Sequence, residues 1–283
     1  MFVFRAAVVG AGTMGGEIAQ TIASAEIPVV LKDVDQELVD QGIEKARALW
    51  RQRVDAGKME ARELDQKLAL ITGTTGYEAL CDVDFVIEAV PERMDIKQAV
   101  FSELDEVTPG HAILSSNTSS LSIAEMGEAT SRPDKVVGFH FFYPASVMRL
   151  IEVIESEETS PETAQAANNF ALAIRKAPIR CGEVPGVVVN RILNSGLSEL
   201  WRFQEETGAD IKKLDEVVSE SKVAPIGPFF LCDLLGLDTV LHVAEHLTES
   251  YGDRFYVHKQ LRELVAAGDL GAKTGKGFYE HSG

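Results

Sequence analysis

Gly10-Ala11-Gly12-Thr13-Met14-Gly15 decides the fold. It lies between an apolar run, Phe2 to Val9, and a helical pattern from Met14 to Ala25. Strand, glycine turn and helix in that order open a dinucleotide-binding unit. Gly10 allows the tight turn, Gly12 lets the backbone approach a pyrophosphate, and Gly15 permits close packing of helix on strand. The positive end of the helix, at Met14, then faces the phosphates. A second strand, Pro28 to Leu31, ends at Asp33, eighteen residues beyond Gly15. A carboxylate there accepts bonds from ribose hydroxyls and repels a 2′-phosphate, which favours NAD over NADP. A glycine turn beside a surface aspartate is the plain alternative, and the flanking strand and helix weigh against it.

Outward from that turn, strands and helices alternate. From Gln36 the apolar positions Val39, Ile43, Ala46, Leu49 and Val54 recur at helical spacing, Gly57 interrupts, and a further helix spans Ala61 to Leu68. Short apolar runs follow at Phe85 to Ala89, Ala112 to Leu114 and Val136 to Phe142, with helical patterns at Ile96 to Val107 and Ile123 to Ala129 between them. Ser160-Pro161 reads as an N-cap and first helical residue of a helix to Lys176, and Ile179 to Cys181 as a last strand. After Gly182-Glu183-Val184-Pro185-Gly186 the pattern becomes helical throughout, broken at Pro225 to Pro228 and closed by a glycine-rich tail from Gly271 to Gly277. The class is α/β: a parallel, doubly wound Rossmann-type sheet over residues 1–182, followed by an all-helical C-terminal domain over 183–283.

The 283 residues suffice for two such domains. A net charge of −17 argues against a nucleic-acid binder, yet leaves room for a local basic patch that meets a phosphate-bearing ligand. Three scattered cysteines, Cys81, Cys181 and Cys232, fit a reducing compartment and indicate no metal site. Met1 to Val9 lacks a basic leader and reads as a strand, and no stretch is apolar enough to span a bilayer. The expected location is the cytoplasm. Glu17, in the first turn of the glycine-loop helix, suits the helix dipole and is expected to face solvent.

His140 lies in the aromatic strand Gly138-Phe139-His140-Phe141-Phe142-Tyr143-Pro144, and Glu152 in the apolar strand Leu150-Ile151-Glu152-Val153-Ile154. Imidazole titrates near neutrality, and a buried carboxylate beside it fixes its tautomer and supports its charged form. With a dinucleotide turn in the same chain, a proton moving together with a hydride is the expected chemistry. A hydrogen-bonded core histidine is the alternative, and Glu152 weighs against it because a carboxylate between Ile151 and Val153 is costly unless paired.

Together these segments resemble the L-3-hydroxyacyl-CoA dehydrogenase family, including the bacterial 3-hydroxybutyryl-CoA dehydrogenases. The likeness runs through Gly10 to Gln20, Glu88 to Lys97, Ser116 to Leu121, Gly138 to Pro144, Leu150 to Ile154, Val187 to Arg191, Pro225 to Thr239 and Lys273 to Tyr279. It implies that His140 transfers the proton, with Glu152 as its electrostatic partner. Ser119 and Asn190 match polar residues around the reacting oxygen and thioester, and Glu92, Lys97 and Asn117 match positions near the cofactor. On the residues alone, Ser119 could cap the helix near Ser122, and Asn190 could cap or bridge helices.

An acyl-CoA substrate brings phosphates. The most basic stretch, Lys45 to Arg53, offers Arg47 and Arg51, with Lys58 just beyond, as candidate contacts; a solvated helix face is the alternative, since Glu44, Asp55 and Glu60 are interleaved. The resemblance implies that this hairpin meets CoA and that the chain pairs with a second copy through its helical domain. One departure is Tyr143, where the family usually has asparagine, and it bears on acyl preference. Three functions are therefore weighed: NAD-dependent oxidation of (3S)-3-hydroxyacyl-CoA, dehydrogenation of a free 3-hydroxy acid or sugar acid, and non-catalytic NAD binding.

Overall fold

β1 (Ala6–Val9) is buried along its whole length, as a strand covered on both faces of a sheet must be. The structure, a computed structural model, describes residues 2–281; Met1, the start of the run weighed as a leader, lies outside them. The chain divides into two compact units, Met1–Glu183 and Val184–Gly283.

In the first unit β1 is followed by α1 (Gly15–Ser24), β2 (Val29–Lys32), α2 (Gln36–Asp55), α3 (Ala61–Leu68) and β3 (Ile71–Thr74). Then come β4 (Phe85–Glu88), α4 (Met94–Val107), β5 (Ile113–Ser116), α5 (Ile123–Gly127), β6 (Val136–Phe141), β7 (Leu150–Glu155), α6 (Pro161–Ala173) and β8 (Ala177–Gly182). The eight strands form one sheet in the order β3-β2-β1-β4-β5-β6-β7-β8. The chain reverses direction across the sheet between β1 and β4, and a crevice opens there at the carboxyl ends of the strands.

The expectation of a wholly parallel sheet needs one correction: β6 and β7 are antiparallel. The residues between them, Phe142 to Arg149, contain no helix, and a parallel return needs a crossover of about a dozen residues or more. β1 is also shorter than the apolar run suggests. Its neighbours begin at Val29 and Phe85, opposite Ala6; before that the Arg5 carbonyl still accepts from Asp84 N, but the Phe4 and Arg5 N–H groups go to the Asp84 carboxylate and not to a strand. β3 has no counterpart in the sequence reading. The core under the sheet is aromatic, with the Phe85 and Phe139 rings 5.1 Å apart and Phe170 of α6 against both.

The second unit consists of α7 (Val189–Thr207), α8 (Ile211–Glu220), α9 (Pro228–Leu235), α10 (Leu237–Tyr251) and α11 (Lys259–Ala267) around Leu197, Trp201, Phe229, Leu237 and Leu261. Its glycine-rich tail is anchored by two buried carboxylates. Asp233 accepts from the N–H groups of Phe278 and Tyr279, and Asp215 accepts from the Tyr279 hydroxyl and the N–H groups that open α9. No helix among the described residues is long and apolar enough to cross a membrane.

Candidate active site

The glycine turn is shaped by what surrounds it. A Cβ on Gly15 would lie 1.7 Å from the Gly10 carbonyl oxygen, and one on Gly10 (φ +103°) would lie 2.5 Å from that of Ala89. Around Gly12, by contrast, the space is open: it belongs to a cavity of about 670 Å³. Gly10, Gly12, Met14, Asp33, Glu92, Lys97 and Asn117 all line that cavity, at the carboxyl ends of β1, β2, β4 and β5. Gly15 is buried behind them. Asp33 Oδ2 accepts from Ala11 N at 2.6 Å and Oδ1 from Val34 N at 2.7 Å, so the carboxylate that would read a ribose also clamps the glycine turn. Beside it the Lys32 ammonium rests 4.0 Å from the centre of the Tyr77 ring on the cavity wall. A cavity with this turn, an acidic ribose end and a long apolar wall fits a dinucleotide.

At the other end of the cavity Lys97 is almost wholly buried. Its Nζ lies 2.8 and 2.9 Å from the two Glu88 oxygens and 3.1 Å from Glu92 Oε2. Glu88 also accepts from Ser116 Oγ at 2.6 Å and Val90 N at 2.7 Å. Burial pushes the Glu88 carboxyl above the usual carboxylate range, against the pull of Lys97 and its hydrogen bonds. Burial pushes Glu92 up as well, but there Lys97 and the bonds from Thr118 Oγ1 and Ser119 N prevail and hold it below that range. Glu88 was not singled out as a site residue in the sequence. Its signal was a carboxylate closing the apolar run Phe85-Val86-Ile87, which is costly unless the group is paired.

His140 and Glu152 are direct partners across the antiparallel β6–β7 pair, so their side chains share a face. His140 Nδ1 lies 2.8 Å from Glu152 Oε2, with Glu152 1% and His140 7% exposed. Asn117 joins this pair to the cavity, because its Oδ1 accepts from the Phe141 N–H at 2.8 Å. Ser119 is on the same loop, tied through its N–H to Glu92. Asn190 belongs to the helical unit, in the first turn of α7, and its carbonyl accepts from Asn194 Nδ2. Arg47 and Arg51 are exposed on α2 and Lys58 in the turn after it, outside the cavity lining, and Arg47 pairs with Glu44 at 3.2 Å.

The expectation for Glu17 is overturned. It is 3% exposed, and its Oε2 accepts from both Ser146 N and Ser146 Oγ at 3.2 Å. The loop after β6 folds back over α1 and supplies these donors, a contact between residues 129 positions apart.

A dinucleotide crevice at the strand reversal, with a carboxylate-held histidine one strand beyond Asn117, defines an NAD-dependent oxidoreductase. Residues 5–184 match the NAD-binding domain of 3-hydroxyacyl-CoA dehydrogenase, and residues 186–281 match its C-terminal domain. The chain belongs to the 3-hydroxyacyl-CoA dehydrogenase family. It is 40% identical over 98% of its length to a 3-hydroxybutyryl-CoA dehydrogenase of Clostridioides difficile, covering 99% of that protein. The crystal structure of (S)-3-hydroxybutyryl-CoA dehydrogenase from Ralstonia eutropha superposes with a TM-score of 0.95 at 37% identity, with both chains fully covered. A peroxisomal fatty acid beta-oxidation multifunctional protein of Arabidopsis thaliana is 34% identical over 97% of this chain, which spans 38% of that longer protein.

Proposed function

We propose that the protein oxidises (3S)-3-hydroxyacyl-CoA, such as 3-hydroxybutyryl-CoA, and catalyses the reverse reduction, with His140 moving the proton. The observation that carries this reading is the His140–Glu152 pair, 2.8 Å apart and buried between neighbouring strands. Because Nδ1 is held by Glu152, Nε2 is the atom available to the substrate hydroxyl. In oxidation Nε2 takes the hydroxyl proton, and Glu152 stabilises the imidazolium that forms; in reduction the imidazolium returns the proton to the developing alkoxide. The cofactor, NAD, supplies the hydride acceptor. The Ser119 hydroxyl and the Asn190 amide are donors for the substrate oxygens and hold the reacting carbon in place.

Arg47, Arg51 and Lys58 form the exposed basic surface for the CoA phosphates in an otherwise acidic chain. The helical unit carries the dimer contact; exposed Ile192 and Phe203 on α7 and Leu234 and Leu235 on α9 support it. The cysteine usage supports a cytoplasmic location.

His140→Gln is expected to lower turnover of acetoacetyl-CoA by about 10²–10⁴-fold, the usual contribution of general acid–base help, while NADH still binds. Wild-type-like turnover in that variant would remove the proton-transfer role. Comparing NADH consumption with acetoacetyl-CoA and with free acetoacetate tests the substrate: activity on the free acid alone would reject the CoA ester.

A further inference from the structure

The eight residues from Phe142 to Arg149 leave the histidine strand and return as β7. Two buried charges of opposite sign hold this loop from below. Glu17 accepts from the N–H and hydroxyl of Ser146 at 3.2 Å, and Lys176 (7% exposed) donates to the carbonyls of Ala145 at 2.5 Å and Met148 at 2.8 Å. Thr21, one turn along α1 from Glu17, adds a bond from its hydroxyl to the Ala145 carbonyl. With the loop's polar backbone groups turned inward, its apolar side chains stand outward: Tyr143 is 61% and Val147 70% exposed.

Glu17 also reaches the cofactor turn. Its Oε1 lies 3.5 Å from Lys45 Nζ, which donates to the Thr13 carbonyl at 2.7 Å and lies 5.9 Å from the centre of the Tyr143 ring. Thr13 lines the dinucleotide cavity. A continuous set of polar contacts thus runs from the glycine turn through Lys45 and Glu17 to the loop that begins two residues after His140. Burying a carboxylate here is costly, and the sequence reading of a dipole-stabilising surface residue does not account for it.

We infer that Glu17 is a positioning residue for the acyl thioester: it fixes the Phe142–Arg149 loop against the cofactor turn and so holds Tyr143 at the substrate's approach to His140. Glu17 touches no reacting atom. It acts through Ser146 and Lys45, and its effect falls on substrate recognition and not on cofactor affinity or proton transfer. The inference rests on the acyl-CoA reading above.

The test compares Glu17→Gln, Ser146→Ala, Tyr143→Ala and the Glu17→Gln/Tyr143→Ala double variant of the full chain, with acetoacetyl-CoA and NADH. Glu17→Gln is expected to raise KM for acetoacetyl-CoA about tenfold, the scale of one charge-assisted hydrogen bond, with NADH affinity and the pH profile of kcat unmoved. Ser146→Ala, which removes a single hydroxyl and leaves the ion pair, should shift KM in the same direction by less. In the double variant the KM effects should fall short of the product of the single effects, because both act through one loop. Parallel loss of NADH affinity, an unchanged KM, or fully multiplicative effects would overturn the positioning role. If Glu17→Gln fails to fold, Ser146→Ala with Tyr143→Ala decides in the same way. A wild-type enzyme inactive on acetoacetyl-CoA would overturn the substrate reading, whereas an active wild type with unshifted variants overturns the positioning role alone.

Discussion

Asp33 clamps the glycine turn with its carboxylate, and we propose that the same group selects the cofactor; the two roles separate on substitution. Both oxygens accept backbone N–H bonds, from Ala11 at 2.6 Å and Val34 at 2.7 Å, which holds the glycine turn against the end of β2. The charge on the same group would repel a 2′-phosphate. Asp33→Asn retains one acceptor oxygen and loses the charge, so the turn persists while the discrimination weakens. The ratio of kcat/KM for NADH over NADPH should fall by about ten- to a hundredfold, as expected when a repulsive contact is removed. An unchanged ratio would move cofactor choice elsewhere in the cavity. Asp33, His140 and the glycines were legible in the sequence because each occupies a local pattern: a turn, a strand end, an aromatic run. Glu17 was not, because its partners come from elsewhere in the chain: the folded loop brings Ser146 to α1, and the packing of α2 brings Lys45.

Between elements, a charge cluster built on the buried Lys97 joins β4 to α4 and β5. Lys97 lies between Glu88 and Glu92, Ser116 completes Glu88, and the Thr118–Ser119 turn completes Glu92. Removing the cation leaves a carboxylate that is 0% exposed without its counter-charge. Lys97→Met should therefore destabilise the first unit by about 3–5 kcal/mol, and adding Glu88→Gln to it should restore much of that loss. Urea unfolding of the three proteins measures this; a double variant no more stable than Lys97→Met would mean that Glu88 does not depend on the lysine. The alternation of apolar runs was enough to place the strands of this cluster. β3 escaped notice because Ile71-Thr72-Gly73-Thr74 offers one buried apolar residue and pairs only at the edge of the sheet. The reversal at β7 escaped because periodicity reports burial and not strand direction, which here depends on the length of the Phe142–Arg149 connection.

At the scale of the whole chain, acidity and the buried His258 pull stability in opposite directions. With a formal charge of −17, mild acidification relieves self-repulsion in a general way. His258 of the helical unit opposes this. It is 2% exposed, with its ring centre 5.7 Å from those of Phe229 and Phe278 and 6.4 Å from that of Trp201, and Nε2 lies 2.8 Å from Gln204 Oε1. Burial lowers its pKa from the ordinary 6.5, despite the opposing pull of Glu205 and Glu263. The unfolded chain then takes up the proton first as pH falls, so the stability of the helical unit is fully present above about 6.5 and declines below it, until the folded histidine is protonated too. Amide hydrogen exchange at pH 8 and pH 5.5 reads this out. After correction for intrinsic rates, protection along α7 and α11 should fall on acidification by at most about tenfold per pH unit, and that of β1 and β4 should not follow. His258→Gln, which can still hydrogen-bond but does not titrate, should remove the difference. Equal pH responses of the helical unit in wild type and variant would show that the buried imidazole does not govern it.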